Sequence, residues 1–412
     1  MQPSSPGPGH DFEREALLDD SIQFPHRISP DALDPKIVFL TGATGFTGGF
    51  LLNELLNRTQ ASICCLVRAA DDAAAQQRVV RHLMTFGLWR DCFAERIQSI
   101  AGDLELPQFG LSDDHFRELG SQIDVIYHGA GSVNMAFPYG RLKAINVNGT
   151  AHVLRLAGQV STKPVHFLSS IAVFYNHTNS RLSILKETDT PLYDSGLKGG
   201  YGRSKWVADR FVASAQARGL PACIYRPVRI MGHSQTGVIS DGGDILPALL
   251  KGCILLSQYP GFDIEITLVP VDYLTRSIVH LSGSKKSWGR AFHFANPMPI
   301  AWRSLMAILQ SFGYLMEEVS FDNWTRSLKR LASGTSEQTV ETRRFLGTLR
   351  LAMISPHFLF YNRPRFDVTN TREGLSGSAI KCPPIDKALI STYIRRWQRT
   401  GYFPLPENAA ER

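Results

Sequence analysis

Short apolar runs alternate with longer segments of helical periodicity between residues 36 and 230. The runs are KIVFL (36–40), SICCLV (62–67), IDVIYHGAG (123–131), PVHFLSS (164–170) and PACIYRPVRI (221–230). Strands buried on both faces of a parallel sheet have this unbroken apolar character, and strands that alternate with helices are typical of βαβ units. The pattern therefore predicts an α/β fold built on a doubly wound parallel sheet.

A glycine array separates the first strand from the first helix. In VFLTGATGFTGGFLLNELL, Gly42, Gly45 and Gly48 form a G-x-x-G-x-x-G pattern. Glycines at these positions allow a tight turn and a close approach to a pyrophosphate, which rests on the N-terminal amides of the helix. The array predicts a dinucleotide-binding Rossmann fold; the alternative is a glycine-rich turn with no ligand.

The end of the second strand indicates which dinucleotide is bound. Sites for NAD usually carry an acidic residue near this point, which bonds the ribose 2′-hydroxyl. Here Arg68 ends the run CCLVR, and Arg78 follows ten residues later. Two arginines suit a 2′-phosphate by charge and geometry, so NADP(H) is favoured. Asp71 and Asp72 lie close by in sequence and argue the other way.

The alternation ends near residue 232, and this change suggests the domain boundaries. Residues 1–35 are rich in Pro, Gly, Ser and acidic residues, as in a tail or linker, and contain one short amphipathic piece, DFEREALLDDSI. We predict an NADP-binding Rossmann domain over 36–232, completed by one more strand and helix at about 262–282. The remaining segments, 233–261 and 283–412, are predicted to form a smaller, mostly helical C-terminal subdomain that binds substrate.

Two further stretches carry hydroxyl and ammonium groups that suit catalysis. FLSSIAVF places Ser169 and Ser170 at the end of a strand, where either hydroxyl could bond a substrate carbonyl. GYGRSKWVAD places Tyr201 four residues before Lys205, so the two share a helix face. A nearby ammonium is expected to lower the pKa of the phenol and help it to act as a general acid.

Composition excludes several other classes of protein. The 412 residues are 43% apolar and 20% charged, as in soluble globular proteins, and no apolar run approaches the ~20 residues that span a bilayer. The N-terminus lacks the basic start and apolar core of a secretory signal, so we expect a cytoplasmic location and no membrane partner. The six cysteines follow no metal-binding spacing, and no metal site is predicted.

The net charge of +7 is concentrated in one region. Residues 321–366 carry eight basic and three acidic side chains, which accounts for +5 of the total. A basic surface favours an anionic partner such as a phosphorylated small molecule or an acidic protein. No zinc-finger spacing or RNP-type aromatic motif is present, so nucleic acid is not expected as a partner.

Together these motifs resemble the extended short-chain dehydrogenase/reductases. Within that group the chain is similar to the thioester reductase domains of nonribosomal peptide and polyketide synthases and of carboxylic acid reductases. The matching stretches are TGATGFTGGFLLNELL, CLVRA, AGDLELPQFGLS, IYHGAGSVNMAFPYGRLKAINVNGT, FLSSIAVF, GYGRSKWVAD, YRPVRIMGHSQTG, VPVDYL and CPPIDKALISTYIRRWQRTGYFPLP. They extend from about residue 11 to 406, and EREALLDDSI resembles the linker that follows a carrier domain in such synthases.

The resemblance implies roles for individual residues. Ser170, where this group often has threonine, and Tyr201 would hold the thioester oxygen, and Lys205 would bind the nicotinamide ribose. The implied cofactor contacts are Gly42, Thr44, Gly45, Phe46, Thr47 and Gly48 at the phosphates, Arg68 and Arg78 at the 2′-phosphate, Asp103 and Leu104 at the adenine, Gly129, Ala130 and Gly131 further along the dinucleotide, and Lys205. The sequence HGAG departs from the usual pattern of the group without removing a functional group.

The resulting hypothesis is an NADPH-dependent reductase of acyl thioesters carried on a phosphopantetheine arm or on coenzyme A. The product would be an aldehyde, or an alcohol after a second reduction, and an acidic carrier protein could dock on residues 321–366. Three alternatives remain: a non-redox relative such as a cyclising release domain or an epimerase, a reductase of free aldehydes or ketones, and a non-catalytic NADP-binding regulator. The intact Tyr201–Lys205 pair argues against a cyclising release domain and against the regulator, and the VNxxxPY block argues against an epimerase.

Overall fold

The computed structural model of the protein describes residues 11–406, apart from 177, 198, 241–243, 335–346 and 348–363. The chain folds into two units. The described residues of the first unit come from Met1–Val228, Leu274–Phe294 and Pro364–Ile380, and those of the second from Arg229–Tyr273, Ala295–Arg363 and Lys381–Arg412.

A seven-stranded parallel sheet forms the centre of the first unit. Its strands are β1 (Ile37–Thr41), β2 (Ser62–Val67), β3 (Ile97–Ala101), β4 (Val125–His128), β5 (Val165–Leu168), β6 (Ala222–Pro227) and β7 (Ala291–Phe294). Their spatial order is β7-β6-β5-β4-β1-β2-β3, and every neighbouring pair is parallel. This arrangement confirms the predicted doubly wound sheet.

The strand order determines where a ligand can bind. β1 lies between β2 and β4, so the chain moves away from β1 in one direction to β3 and returns to β4 on its other side. In open α/β sheets the crevice for a ligand opens at such a reversal, beyond the carboxyl ends of the strands. The residues that follow β1 and β4 are therefore the first place to look for a site.

The helices, in chain order, are α1 (Phe12–Glu15), α2 (Phe46–Arg58), α3 (Asp72–Thr85), α4 (Asp113–Gln122), α5 (Tyr139–Lys143), α6 (Gly149–Ala157), α7 (Gly199–Ala217), α8 (Ile245–Leu256), α9 (Val271–Ser282), α10 (Trp302–Ser311), α11 (Phe321–Gly334), α12 (Thr369–Gly374) and α13 (Lys387–Arg399). Several begin at an Asp or Ser whose side chain accepts a hydrogen bond from an early amide; Asp71, Ser112 and Asp386 do so for α3, α4 and α13. Such caps fix the start of a helix.

The second unit has an apolar core of its own. Trp302 and Trp324 are fully buried in it, together with side chains from α8, α10 and α13. Three short strand pairs complete this unit: Arg229–Met231 with Leu268–Pro270, Gln258–Pro260 with Glu317–Val319, and Glu265–Ile266 with Ile300–Ala301. A further pair, Ile184–Leu185 with Arg365–Phe366, belongs to the first unit.

The structure differs from the predicted boundaries in three places. Residues 268–270 pair with 229–231 and add no strand to the main sheet, so that prediction is wrong; the seventh strand is β7, which lies in a stretch predicted for the C-terminal subdomain. Residues 364–380 also belong to the first unit. The segment 11–35, predicted as a tail or linker, packs into the first unit through buried apolar side chains.

Neither a membrane span nor a metal cluster is found in the described part of the chain. None of its helices combines the length and the apolar character needed to cross a bilayer. Likewise, the residues outside the gaps contain no group of three or more His, Cys, Asp or Glu side chains arranged to hold a metal ion.

Candidate functional site

The glycine array forms a closely packed loop between β1 and α2. Gly42 has a φ of +86°, and a Cβ atom there would lie 2.7 Å from the backbone nitrogen of Ala130. A Cβ on Gly48 would lie only 1.9 Å from the carbonyl oxygen of Gly42. The loop therefore depends on glycine at both positions, and it brings the end of β1 against the residues that follow β4.

The same loop starts α2 without a side-chain cap. Gly45 is the N-cap of α2 and has no side chain with which to accept a hydrogen bond from the first turn. Thr44 lies in the preceding turn, and Phe46 and Thr47 begin the helix. A helix N-terminus of this kind attracts an anion, because its amides are unsatisfied and its dipole is positive there.

The predicted residues after β4 lie against the end of β1. The amide of Gly129 donates to the carbonyl of Thr41 at 3.2 Å, and the amide of Ala130 donates to its hydroxyl at 3.3 Å. A Cβ on Gly131 would lie 4.0 Å from the Nζ atom of Lys205. These loops therefore join the glycine array to the helix that carries the predicted catalytic pair.

Both predicted arginines lie at the end of β2. The guanidinium of Arg78, in α3, donates to the carbonyl of Arg68 at 2.6 Å. The side chain of Arg68 is 67% exposed, and its guanidinium is 3.9 Å from the carboxylate of Glu105. The arrangement places two cationic groups beside the strand end where a 2′-phosphate is expected.

The two acidic residues nearby are held by backbone amides. Asp71 accepts a hydrogen bond from the amide of Ala74 at 2.8 Å and so caps α3. Asp72 accepts from the amide of Ala101, at the end of β3, at 2.7 Å. Both carboxylates therefore have a structural role at the start of α3.

Asp103 and Leu104, which the resemblance implies as adenine contacts, follow β3, a strand that the sequence patterns do not identify. The carboxylate of Asp103 accepts from the amide of Glu105 at 3.0 Å, and Leu104 is buried beside Gly149 at the start of α6. The turn thus fixes an acidic and an apolar side chain at the edge of the sheet, next to the end of β2.

The side chain of Ser170 lies close enough to the phenol of Tyr201 to influence its pKa. Ser170 follows β5 and caps a short 3₁₀ helix, Ile171–Phe174, by accepting from the amide of Ala172 at 3.1 Å. Burial raises the pKa of Tyr201 above its ordinary value, and the nearby Ser170 side chain opposes this effect only in part. The phenol is therefore protonated at neutral pH.

This result differs from the expectation that Lys205 lowers the pKa of Tyr201. The Nζ atom of Lys205 donates to the carbonyl of Leu168 at 2.7 Å and lies 4.5 Å from the ring centroid of Phe167. Burial lowers the pKa of Lys205 itself to about 8, although the nearby carboxylate of Asp209 raises it. The ammonium is thus directed at the end of β5, and desolvation dominates the titration of both groups.

The two adjacent serines have different environments. The hydroxyl of Ser169 donates to Asp209 at 2.6 Å, and Asp209 is paired with the guanidinium of Arg226 at 2.8 and 3.0 Å. All three side chains are buried. Ser169 is therefore part of a structural network beneath the site, and Ser170 is the hydroxyl that meets Tyr201.

Asn146 is a site residue that the sequence patterns do not identify. Its amide oxygen accepts from the amide of Ser132 at 2.7 Å, and its amide nitrogen donates to the hydroxyl of Ser204 at 2.9 Å. It lies in a widened π turn, Ala144–Asn148, just before α6. Asn146 thus ties the loop after β4 to the helix of Tyr201; within NVNGT, nothing in its spacing distinguishes it.

Comparison with known proteins gives a consistent result. The sequence profile of a family described as Male sterility protein, an NAD-binding family, matches residues 40–278. The terminal R domain from the myxalamid PKS-NRPS biosynthetic pathway has 36% sequence identity and a TM-score of 0.88, covering 96% of this chain and 99% of that one.

Two similar proteins are much longer than this chain. One of the linear gramicidin synthase proteins of Brevibacillus parabrevis is 34% identical over 96% of this chain. Glycine betaine reductase ATRR of Emericella nidulans is 35% identical over 95% of it. The chain spans only 8% and 31% of the length of these two proteins. The chain therefore belongs to the reductase (R) domains of the extended short-chain dehydrogenase/reductase type, which are nicotinamide-dependent oxidoreductases.

Proposed function

We propose that the protein is a cytoplasmic, NADPH-dependent reductase that converts an acyl thioester, held on a carrier-protein phosphopantetheine arm or on coenzyme A, into an aldehyde. The observation that carries this proposal is the proximity of Ser170 to the phenol of Tyr201, with Lys205 one helical turn away. These groups lie near the ligand crevice of a doubly wound sheet. The R-domain family to which the chain belongs supports the choice of a thioester as substrate.

The residues present fit a dinucleotide. The loop at Gly42 and Gly48 leaves no room for a Cβ atom, as expected where backbone must approach a pyrophosphate closely. The amides at the start of α2 would hold the phosphates, and the ammonium of Lys205 would bond the nicotinamide ribose. When bound, the reduced nicotinamide supplies the hydride that reduces the thioester carbonyl.

Tyr201 and Ser170 act on the carbonyl oxygen of the thioester. The phenol of Tyr201 donates its proton as negative charge develops on that oxygen, and the hydroxyl of Ser170 stabilises the same charge with a hydrogen bond. The raised pKa of Tyr201 keeps the proton available at neutral pH. The hemithioacetal then loses its thiol and becomes an aldehyde, which a second reduction would convert to an alcohol.

The reaction is tested by following two products in one assay. Wild-type protein is mixed with NADPH and a pantetheine or coenzyme A thioester, and oxidation of NADPH is measured together with release of free thiol. We expect thiol release coupled to NADPH oxidation. A non-redox cyclising domain would release thiol without oxidising NADPH, and a reductase of free carbonyls would oxidise NADPH only with an aldehyde or ketone. Either result would contradict the proposal.

The preference for NADPH is expected to depend on Arg68 and Arg78. Replacing either residue with alanine should lower kcat/KM for NADPH by about 10- to 100-fold, because a cationic partner of the 2′-phosphate is lost. The kcat/KM for NADH should change little in the same variants. Arg81→Ala is the matched control, since Arg81 is exposed on the same helix. Equal losses with both nucleotides would show that the arginines do not recognise the 2′-phosphate.

We also propose that an acidic carrier protein docks on the basic region 321–366. Of its cations, Arg343, Arg344, Arg350 and Arg363 lie outside the described residues. Within them, Arg326, Lys329 and Arg330 are exposed along α11. Oppositely charged surfaces accelerate association and favour the correct partner.

Reversal of charge in this region tests the docking proposal. Arg330→Glu, and the double change at Arg343 and Arg344, should raise KM for carrier-bound substrate by about tenfold and leave the coenzyme A thioester unaffected. Arg117→Glu, on the exposed side of α4, serves as the control. An equal loss of activity with the carrier-bound and the coenzyme A thioester, or no loss with either, would show that the carrier protein docks elsewhere.

A further inference from the structure

The segment predicted as a tail is held firmly against the first unit. Phe12, Leu18 and Ile22 are 3%, 4% and 2% exposed, whereas Leu17 between them is 71% exposed. One face of the segment is therefore buried and the other faces solvent. An unattached linker would not bury its apolar residues in this way.

Phe12 contacts three side chains that surround the start of α7. Its ring meets Tyr139 edge-on at a centroid distance of 4.8 Å and stacks on Tyr193 at 5.2 Å. The guanidinium of Arg203 lies 5.4 Å from the same ring. Arg203 is two residues after Tyr201, so Phe12 packs against the helical turn that carries the proposed general acid.

The carboxylate of Glu15 contacts the first and the last residue of α5. The hydroxyl of Tyr139, the first residue of that helix, donates to the Glu15 carboxylate. The ammonium of Lys143, the last residue, lies 3.2 Å from the same carboxylate. One carboxylate therefore fixes the position of the whole of α5.

α5 packs directly against the first turn of α7. A Cβ atom on Gly200 would lie 2.3 Å from the carbonyl oxygen of Phe137 and 2.5 Å from the backbone nitrogen of Tyr139. The two backbones are in direct contact, with no side chain between them to absorb a shift. Movement of α5 would therefore displace Gly200 and its neighbour Tyr201.

The other end of the segment is fastened to the end of α7. The guanidinium of Arg218, one residue past the helix, donates to the carbonyls of Leu18, Asp19 and Ile22 at 2.7 to 2.8 Å. The 19 residues of α7 span roughly 28 Å at the usual rise per residue. The segment is thus attached near both ends of the helix.

We infer that residues 12–22 form a brace that positions Tyr201, by holding α5 against the first turn of α7 and by anchoring on Arg218 at the far end of the same helix. The inference rests on the proposed function in one respect, since Tyr201 is the general acid of that reaction. The segment contributes no group to the chemistry. Its effect on turnover passes through the placement of the phenol.

Phe12→Ala is the main test, and Leu17→Ala is its control in the same segment. Without substrate, we expect the amides in the first turns of α7 to exchange with solvent about tenfold faster in Phe12→Ala, because their support is lost. With thioester, kcat should fall about fivefold to twentyfold, while KM and the Kd for NADPH stay within about twofold. Phe12→Leu, which restores apolar volume, should recover most of the loss.

Each outcome of these measurements either supports or overturns the inference that residues 12–22 position Tyr201. Faster exchange confined to the start of α7, with a loss in kcat alone and recovery in Phe12→Leu, supports the brace. Unchanged exchange, or a loss shared equally by kcat, KM and NADPH binding, overturns it, as does an equal loss in Leu17→Ala. Should Phe12→Ala fail to fold, Tyr139→Phe removes only the hydrogen bond to Glu15 and is judged by the same criteria. Because exchange is measured without substrate, a wild type that reduces no thioester would refute the proposed function and leave the exchange result to decide the brace.

Discussion

Tyr201→Phe is expected to lower kcat by about 10²- to 10⁴-fold, the usual contribution of a general acid. This corresponds to about 3–5 kcal/mol of lost stabilisation of the transition state. Phenylalanine keeps the ring in place but removes the proton that would neutralise the thioester oxygen. The Kd for NADPH should stay within about twofold, because the phenol is proposed to act on the substrate. Single-turnover reduction and cofactor titration measure the two quantities separately.

A neighbouring tyrosine provides a matched control for this change. Tyr175 lies close enough to Tyr201 to raise the pKa of its phenol. Tyr175→Phe removes the same functional group a short distance away, and we expect kcat to change by no more than about threefold. If this control cost as much as Tyr201→Phe, the general acid would be assigned to the wrong residue.

The pH dependence separates Tyr201 from Lys205. Lys205 has a pKa lowered to about 8 by burial, so it carries its charge below that pH and loses it above. We therefore expect kcat/KM for NADPH to fall as pH rises through about 8, because the neutral amine binds the nicotinamide ribose less well. The residual activity of Tyr201→Phe should keep the same alkaline limb. Loss of that limb would instead assign it to the titration of Tyr201, in line with the pKa-lowering effect that the i, i+4 spacing predicts.

The central sheet was predictable from sequence because its strands are buried on both faces. Runs such as KIVFL and SICCLV need no tertiary information to be recognised as parallel strands. β3 and β7 were both missed, because IQSIA contains polar residues and only its first residue is fully buried, and AFHF is only four residues long. Residues 268–270 have the apolar character of a central strand, yet they pair with 229–231 in the second unit. The apolar pattern of a sequence identifies a strand but not the strand with which it pairs.

The site was less predictable than the fold because it depends on which groups meet. The residue pattern alone did not separate Ser169 from Ser170, and the family resemblance implied Ser170. The structure supplies the physical reason, because Ser169 is already engaged by Asp209, which pairs with Arg226. The pKa of Tyr201 follows from burial, which an i, i+4 spacing does not reveal. The segment around Phe12 has a tail-like composition, and its packing partners lie more than a hundred residues away in the chain.

Gly48→Ala is expected to raise the Kd for NADPH by at least about 100-fold. The added Cβ would lie 1.9 Å from the carbonyl oxygen of Gly42, whereas such atoms essentially never approach within 3.0 Å. The first turn of α2 and the Gly42 turn must therefore separate by about 1 Å, a misplacement that can cost 10²-fold in a preorganised site. Because both backbones would contact the phosphates, cofactor binding should suffer before overall folding does.

Gly140→Ala is the matched control, since a Cβ at this exposed position in α5 meets nothing within 4 Å. Its Kd for NADPH should equal that of the wild type. Thermal unfolding of both variants, followed with and without NADPH, separates a local change from a global one: Gly48→Ala should lose the stabilisation that NADPH gives the wild type, because a ligand stabilises only the state that binds it. If Gly48→Ala bound NADPH as tightly as Gly140→Ala, the dinucleotide would have to lie away from the start of α2. The placement of Tyr201 beside the nicotinamide would then lose its support as well.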